Sequence, residues 1–223
     1  MPKASWGRIF ETCKTSNNNA IIAAGHPIYL RSPWGLRSFL ITAVSAADIT
    51  SMLADIISSQ RWIPMVGGVF FDFQHDPGCR FRVAVLGHSD SPSVLVTRLS
   101  GESPSQPLEV GQTRASSIQS SPTLDRILAT CAEGAYSDAV FVPNCPPIIW
   151  SERDFAVLSA PPLDNDTIAS MFATRAPPLE NMVEENDYQS FPVRHGSIEF
   201  RAAILGKPIL ACGLAMRLPP RSA

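Results

Sequence analysis

The chain has 223 residues, of which 45% are apolar and 17% are charged. This composition provides enough apolar side chains for buried cores, and it excludes a chain that is disordered throughout. The formal net charge is −2 with no run of like charges, so the chain has neither the basic surface of a nucleic-acid binder nor an electrostatic membrane anchor.

The first half of the chain predicts two helices and six strands. In chain order they are a helix over about 5–16, short strands at 20–22, 28–30 and near Leu36, a helix over about 45–58, and strands over roughly 68–74, 79–87 and 93–99. Ile49, Met52 and Ile56 give the second helix one apolar face. Arg80 and Arg82 alternate with apolar residues, which is typical of a sheet with one face in water.

Residues 100–121 are rich in Ser, Pro, Gly and Gln, and their apolar residues lack periodicity. Such a segment buries too little surface to offset its ordering entropy, so we predict a flexible linker. Beyond it, the same order of elements returns as a helix over 122–134, strands at 139–141, 148–150 and near Phe155, a helix over 164–174 and closing strands. Ser121 is the expected N-cap before Pro122, and Ser45 and Asp164 are expected to cap the second helices.

The two halves are related by sequence. A shift of 119 residues aligns residues 81–87 with 200–206 and residues 95–99 with 214–218, and one register holds from about residue 19 to residue 99 without a gap. A fixed period over this length indicates a tandem repeat. The sequence therefore predicts an α+β chain of two modules, 1–99 and 122–223, each an antiparallel sheet with helices on one face.

Short motifs recur in the same order in both halves. The second half shows Tyr136-Ser137-Asp138-Ala139-Val140, Pro146-Pro147, Pro161-Pro162-Leu163, Phe200-Arg201 and Arg217-Leu218, and the first shows Gly25-His26-Pro27, Arg80-Phe81-Arg82-Val83 and Arg98-Leu99. Together they resemble the N-terminal domain of the type IV pilus retraction and assembly ATPases, the PilT and secretion-ATPase group. The resemblance implies a PAS-like fold for each module and packing against a neighbouring motor domain in a hexamer.

The chain departs from this family in one decisive respect. The only Gly-Lys pair is Gly206-Lys207, which is followed by Pro208, so the phosphate-binding loop of an ATPase is missing. The family's Asp-Leu-His is also replaced, by residues 19–21 in the first half and 138–140 in the second. An ATPase of this class is excluded.

The resemblance implies that Arg82 and Arg201, with Arg80 in support, are the binding positions. An arginine on a rigid strand suits bidentate recognition of a carboxylate or phosphate. The alternative is an exposed strand arginine held in a structural salt bridge. For the recurring Arg98 and Arg217 we expect a solubility role on edge strands.

No metal, cofactor or catalytic residue is predicted. The five cysteines are widely spaced without a CxxC, which indicates buried, reduced thiols in a cytoplasmic protein, and no apolar stretch is long enough for membrane insertion. His75 and Cys79 form only a loose pair. The cluster Glu184-Glu185-Asp187 is typical of a solvated turn, and Trp34 and Trp62, which are unmatched in the second half, favour either core filling or a contact surface.

The sequence leaves three functional hypotheses. The first is a non-catalytic interaction or adaptor protein whose partner is a pilus or secretion ATPase, or a second copy of the chain. The second is a PAS-like small-ligand sensor with a cavity between sheet and helices, lost in one copy because the lining changes from Val69 and Phe71 to Tyr188 and Ser190. An enzyme of unrecognised type ranks last.

Overall fold

The computed structural model describes residues 5–16, 18–32, 35–39, 42–57, 63–65, 68–87, 92–99, 122–134, 136–150, 155–175, 183–185, 188–205 and 212–218. The predicted linker, 100–121, lies outside these residues, as do Trp34, Trp62, Asp187 and the Gly206-Lys207 pair.

The two halves contain the same elements in the same order. The first comprises α1 (Trp6–Ser16), β1 (Asn19–Ala23), β2 (Tyr29–Ser32), β3 (Gly35–Ser38), α2 (Ala46–Ile57), β4 (Ile63–Met65), β5 (Gly68–Asp76), β6 (Cys79–Leu86) and β7 (Ser93–Leu99). The second comprises α3 (Leu124–Glu133), β8 (Asp138–Phe141), β9 (Ile148–Trp150), β10 (Phe155–Val157), α4 (Asn165–Ala173), β11 (Val183–Glu185), β12 (Tyr188–His195), β13 (Ile198–Leu205) and β14 (Cys212–Arg217).

Each half forms one seven-stranded sheet. The strand orders are β3-β2-β1-β7-β6-β5-β4 and β10-β9-β8-β14-β13-β12-β11, and every neighbouring pair is antiparallel. The identical orders confirm the predicted α+β class with two similar modules. The sequence missed β4 and β11, which are three-residue edge strands and too short to show a periodicity.

The helix caps were predicted in part. Ser45 and Asp164 cap α2 and α4 as expected, because each side-chain oxygen accepts the backbone N–H three residues ahead, at 3.1 Å and 2.7 Å. The prediction for α3 was wrong. Its N-cap is Thr123, whose hydroxyl accepts the N–H of Arg126, so Pro122 lies before the helix, and Ser121 lies outside the described residues.

The helices of each module cover one face of its sheet. In the first module Ile9 and Phe10 of α1 and Ile49 of α2 pack against Phe81 and Val83 of β6. In the second, the equivalent core brings α3 and α4 onto β8, β12 and β13. The prediction of helices on one face is confirmed for both modules.

The other faces of the two sheets pack against each other. Ile21, Tyr29 and Leu95 of the first sheet share one buried cluster with Trp150 and Leu214 of the second. The layers therefore run helix, sheet, sheet, helix. The predicted water-exposed sheet face was wrong, because the polar half of the alternation on β6 lies in a covered layer in which a few polar side chains are paired.

The two sheets also differ in register by one residue. Arg82 of β6 lies opposite Asp72, whereas Arg201 of β13 lies opposite Pro192, so the counterpart of Asp72 is 120 residues ahead and not 119. A β-bulge between Gln74 and Asp76 holds the compensating extra residue in the first hairpin. The gapless repeat register expected from the sequence was therefore wrong for β5.

Candidate functional site: the layer between the sheets

The contact between the modules combines aromatic packing with hydrogen bonds from one module to the other. The rings of Tyr29 and Tyr188 meet edge to face with centroids 5.7 Å apart, a favourable aromatic geometry. The hydroxyl of Tyr188 donates to the backbone carbonyl of Leu36 at 3.2 Å. Tyr188 therefore contacts both β2 and β3 of the first module from its place on β12.

A buried ion pair also joins the modules. Arg31 Nη2 lies 2.6 Å from Asp138 Oδ1, and the side chains are 9% and 1% exposed. The Ser137 hydroxyl donates to Asp138 Oδ2 at 2.8 Å, and the backbone of Arg217 is a further hydrogen-bond partner of this carboxylate. Burial raises the pKa of Asp138, whereas Arg31 and the hydrogen bonds lower it. A buried pair of this kind fixes the relative placement of the two sheets more than it adds stability.

The ion pair has no equivalent at the matching positions of the repeat. Asn19 occupies the place of Asp138, and Trp150 occupies the place of Arg31, since each pair lies side by side in its own sheet. Asn19 Oδ1 accepts the backbone N–H of Arg98 at 3.2 Å, which parallels the backbone contact of Asp138. The contact between this side chain and the backbone of the neighbouring strand is therefore present in both modules. At these positions, the charge pair across the modules is formed only by Arg31 of the first and Asp138 of the second.

Arg82 and Arg80 are both paired with Asp72. Arg82 contacts this carboxylate with Nε at 2.7 Å and Nη2 at 3.1 Å, and Arg80 Nη2 contacts it at 3.1 Å. The Arg82 guanidinium also lies 4.9 Å from the ring centroid of Phe70, and its side chain is only 8% exposed. This geometry corresponds to the structural salt bridge considered as the alternative, and a binding role for these two residues stays a prediction.

Arg201 lies in a different environment from Arg82. Its Nη1 donates to Ser190 Oγ at 3.5 Å, the outer limit of a hydrogen bond, and its buried Nε has no hydrogen-bond partner in the described part of the chain. The position opposite it is the exposed Pro192. A Cβ atom added to Gly35 of the first module would lie 4.0 Å from Arg201 Cδ, so this arginine borders the other module.

Arg98 and Arg217 do not lie on edge strands. Their strands, β7 and β14, each have a neighbour on both sides, so the predicted solubility role on an edge was wrong. Arg98 Nη1 donates to the carbonyl of Lys14 at 3.0 Å and so ties the end of β7 to the end of α1. The recurrence of these arginines in the sequence did not show which strands would be central.

A second polar cluster lies where the bulge meets α1. Lys14 Nζ lies 2.6 Å from Asp76 Oδ2 and 3.7 Å from Glu11 Oε2, and His75 Nε2 lies 3.6 Å from the same Glu11 oxygen. The hydrogen bond with Lys14 lowers the pKa of Asp76 and raises that of Lys14. The ligand atoms of Glu11, His75 and Asp76 lie within 4.8 Å of one another, and the Lys14 ammonium, which contacts both carboxylates, offsets one of their two negative charges. The sequence paired His75 with Cys79 and missed Glu11, which is distant in the chain.

The described cysteines are buried and free, as predicted: Cys13, Cys79, Cys131 and Cys145. Burial raises the pKa of Cys13 and of Cys131 to about 12 each, and it raises those of the other two. Since the thiolate is the nucleophile, these residues are poor candidates for catalysis.

No protein-family model and no curated protein sequence matches this chain. Among its described helices, none combines the length and the apolar character needed to cross a membrane. The side chains of Glu184 and Glu185, predicted to form a solvated turn, are outside the described part of the structure, although their backbone forms β11.

Proposed function

We propose that this chain is a non-catalytic adaptor that presents two motor-associated modules to a protein partner. The partner class is a type IV pilus or type II secretion ATPase, as in twitching motility, and self-association is the second possibility. The order of motifs, present twice, supports this class of partner, and the missing phosphate-binding loop leaves an interaction role for the modules.

One observation carries the proposal: the sheet face with the recurring arginines is a protein-binding face within the chain itself. Each module uses it to bury Tyr29, Trp150 and their neighbours against the other module. In the family that the sequence resembles, the equivalent strand packs on a neighbouring subunit. In this chain each module binds the other through this face, while Pro192 is exposed and Arg201 is only partly buried.

The alternative of a small-ligand sensor is less favoured by the packing between sheets and helices. In the first module the rings of Trp6, Phe73 and Phe81 stack around Phe10 with centroids 5.3, 4.8 and 4.8 Å away. In the second, a Cβ added to Gly213 would lie 2.6 Å from the ring of Phe172. Side chains thus fill the layer in which a PAS-like sensor holds its ligand.

The lining residues compared for the sensor hypothesis were also matched incorrectly. Because β12 is displaced by one residue, Tyr188 corresponds to Gly68, and Ser190 corresponds to Phe70. The Tyr188 side chain points into the layer between the sheets and not toward the helices. The change in lining expected for one lost cavity therefore does not apply.

The test is binding of the purified chain to the pilus and secretion ATPases of its source cells, measured by co-purification and by titration. Arg201→Ala is compared with Arg194→Ala, a matched control on the neighbouring strand whose side chain is 73% exposed and paired with Glu199. We expect the ATPase to be retained by the control and lost from Arg201→Ala. Equal retention by both variants would remove Arg201 from the interface, and absence of any such ATPase would refute this partner class.

A further inference from the structure

We propose that Arg201 is a receptor for a carboxylate presented by a partner protein, which takes the place that Asp72 occupies beside Arg82. The assignment of this carboxylate to a partner protein rests on the proposed function. The site itself follows from the difference between the two modules.

The first module shows what this arginine position binds. On paired strands, Arg82 and Asp72 lie directly opposite each other, and the Nε–Nη2 edge of the guanidinium contacts both carboxylate oxygens. In the second module Arg201 occupies the same position on β13, but Pro192 replaces the acid opposite it. An arginine is therefore present at this position in both modules, but an acid lies opposite it only in the first.

Arg201 is left with an unmet hydrogen-bond requirement. Among the described residues, no hydrogen-bond partner reaches its buried Nε, and its hydrogen bond to Ser190 Oγ is 3.5 Å long. Two described acids of the second module have partners of their own, since Asp138 pairs with Arg31 and Glu199 pairs with Arg194. An unpaired buried donor is costly, so a ligand that accepts from Nε gains more here than at a solvated arginine.

The geometry favours a carboxylate over a phosphate. One guanidinium edge matches the two oxygens of a planar carboxylate, as Asp72 demonstrates, whereas a doubly charged phosphate prefers several cations. Pro192 opposite this arginine is exposed and the Arg201 side chain is only partly buried, so we expect a partner's carboxylate to approach from the Pro192 side. An aspartate or glutamate side chain on the surface of a partner has the reach and the charge that this position requires.

The site is tested with acetate as the probe and the full chain as the receptor. The arginine Nε signals are followed in ¹H–¹⁵N spectra, and the Arg201 signal is identified by its loss in Arg201→Lys. We expect acetate to shift the Arg201 Nε signal saturably and to leave the Arg82 signal unchanged, because Asp72 already occupies that guanidinium.

A second variant restores the missing acid. In Pro192→Asp the new carboxylate lies opposite Arg201, so we expect the acetate response to weaken at least tenfold and the melting temperature to rise. Pro192→Asn is the uncharged control and is expected to keep the response. Should Pro192→Asp fail to fold, the wild-type and Arg201→Lys titrations still decide the assignment.

Three results would overturn it: an Arg201 signal unmoved by acetate, a response of equal size in Pro192→Asp and Pro192→Asn, or tighter binding of inorganic phosphate than of acetate. The acetate response does not depend on an ATPase. A positive titration with no ATPase partner would leave the carboxylate site standing and refute the proposed partner, whereas a negative titration would refute the site whatever the partner.

Discussion

The ion pair between Arg31 and Asp138 makes the sharpest prediction about stability. Its side chains are 9% and 1% exposed, so removing one charge leaves the other buried without a counter-charge. Asp138→Asn is the cleanest change, because Asn19 at the matching position keeps the backbone contact through its side-chain oxygen. Breaking a buried pair in this way costs about 3–5 kcal/mol of unfolding free energy, a large part of the total stability of a typical domain.

The double variant Arg31→Met/Asp138→Asn separates the charge from the packing. Since both charges are then absent, we expect most of the loss in Asp138→Asn to be recovered, with a coupling energy above about 1 kcal/mol. The assay is urea unfolding followed by tryptophan fluorescence. The wild type, the two single variants and the double variant are compared with one common slope of unfolding free energy against urea concentration. A loss below about 1 kcal/mol in Asp138→Asn, or additive effects in the double variant, would refute the buried contact between modules.

The pH dependence of Arg31→Met has a definite sign. Without Arg31, burial raises the pKa of Asp138 further above its ordinary value of 3.8. The folded chain then binds more protons than the unfolded chain between these two pKa values, so its stability falls as the pH rises through that window. Arg31→Met is therefore expected to lose more stability relative to wild type at about pH 7 than at about pH 5. The reverse order would contradict the desolvation of Asp138.

Two further predictions concern packing and thiol reactivity. Gly213→Ala places a Cβ 2.6 Å from Phe172 and should cost about 1–3 kcal/mol in urea unfolding, whereas Gly7→Ala, at an exposed position of α1 with nothing within 4 Å, should be neutral or stabilising by up to about 1 kcal/mol. Cys13 and Cys131, with pKa values of about 12, should not react with a thiol reagent at about pH 8 until the chain is unfolded in urea; rapid labelling of both in the native chain would disprove their burial.

The sequence predicted the elements well where they carry long apolar patterns. The helix face of Ile49, Met52 and Ile56 and the alternation on β6 fix which side chains meet within a module, and the structure places them so. The repeat made the second module predictable from the first. Local periodicity and self-similarity are sufficient for this level, because both are properties of neighbouring residues in the chain.

The packing of the two sheets could not be read from the same patterns. A strand with one polar face has the same alternation whether that face meets water or a second sheet with a few paired charges. The one informative signal was asymmetric: Arg31 and Trp150 stand at equivalent positions, and so do Asn19 and Asp138. Two opposite charges, each present in only one copy of the repeat, favour a contact between the copies. They can be recognised as a pair only when it is known which faces of the two sheets meet.

The one-residue bulge had the largest effect on the candidate sites. By displacing β5 against β6, it changes which residue of the first hairpin corresponds to Pro192, and it brings His75 and Asp76 beside Glu11. Sequence alignment without a gap conceals such a bulge, since the extra residue in one hairpin is cancelled elsewhere in the module. Only the strand register shows that Pro192 lies opposite Arg201 at the position where Asp72 lies opposite Arg82.

Two differences in charged residues between the modules lie on the face where the modules meet. Arg31 and Asp138 form a charge pair across the modules, whereas the residues at their equivalent positions are Trp150 and Asn19. Asp72 lies opposite Arg82, whereas Pro192 lies opposite Arg201. The helix-facing cores remain apolar in both modules, although aromatic and aliphatic residues exchange places, as in Phe10 and Leu128 or Leu53 and Phe172. Folding alone requires only the cores. Loss of the acid opposite one of the two arginines is expected when one module holds its neighbour and the other has an arginine available for a partner, and this division of roles is what the Arg201 titration measures.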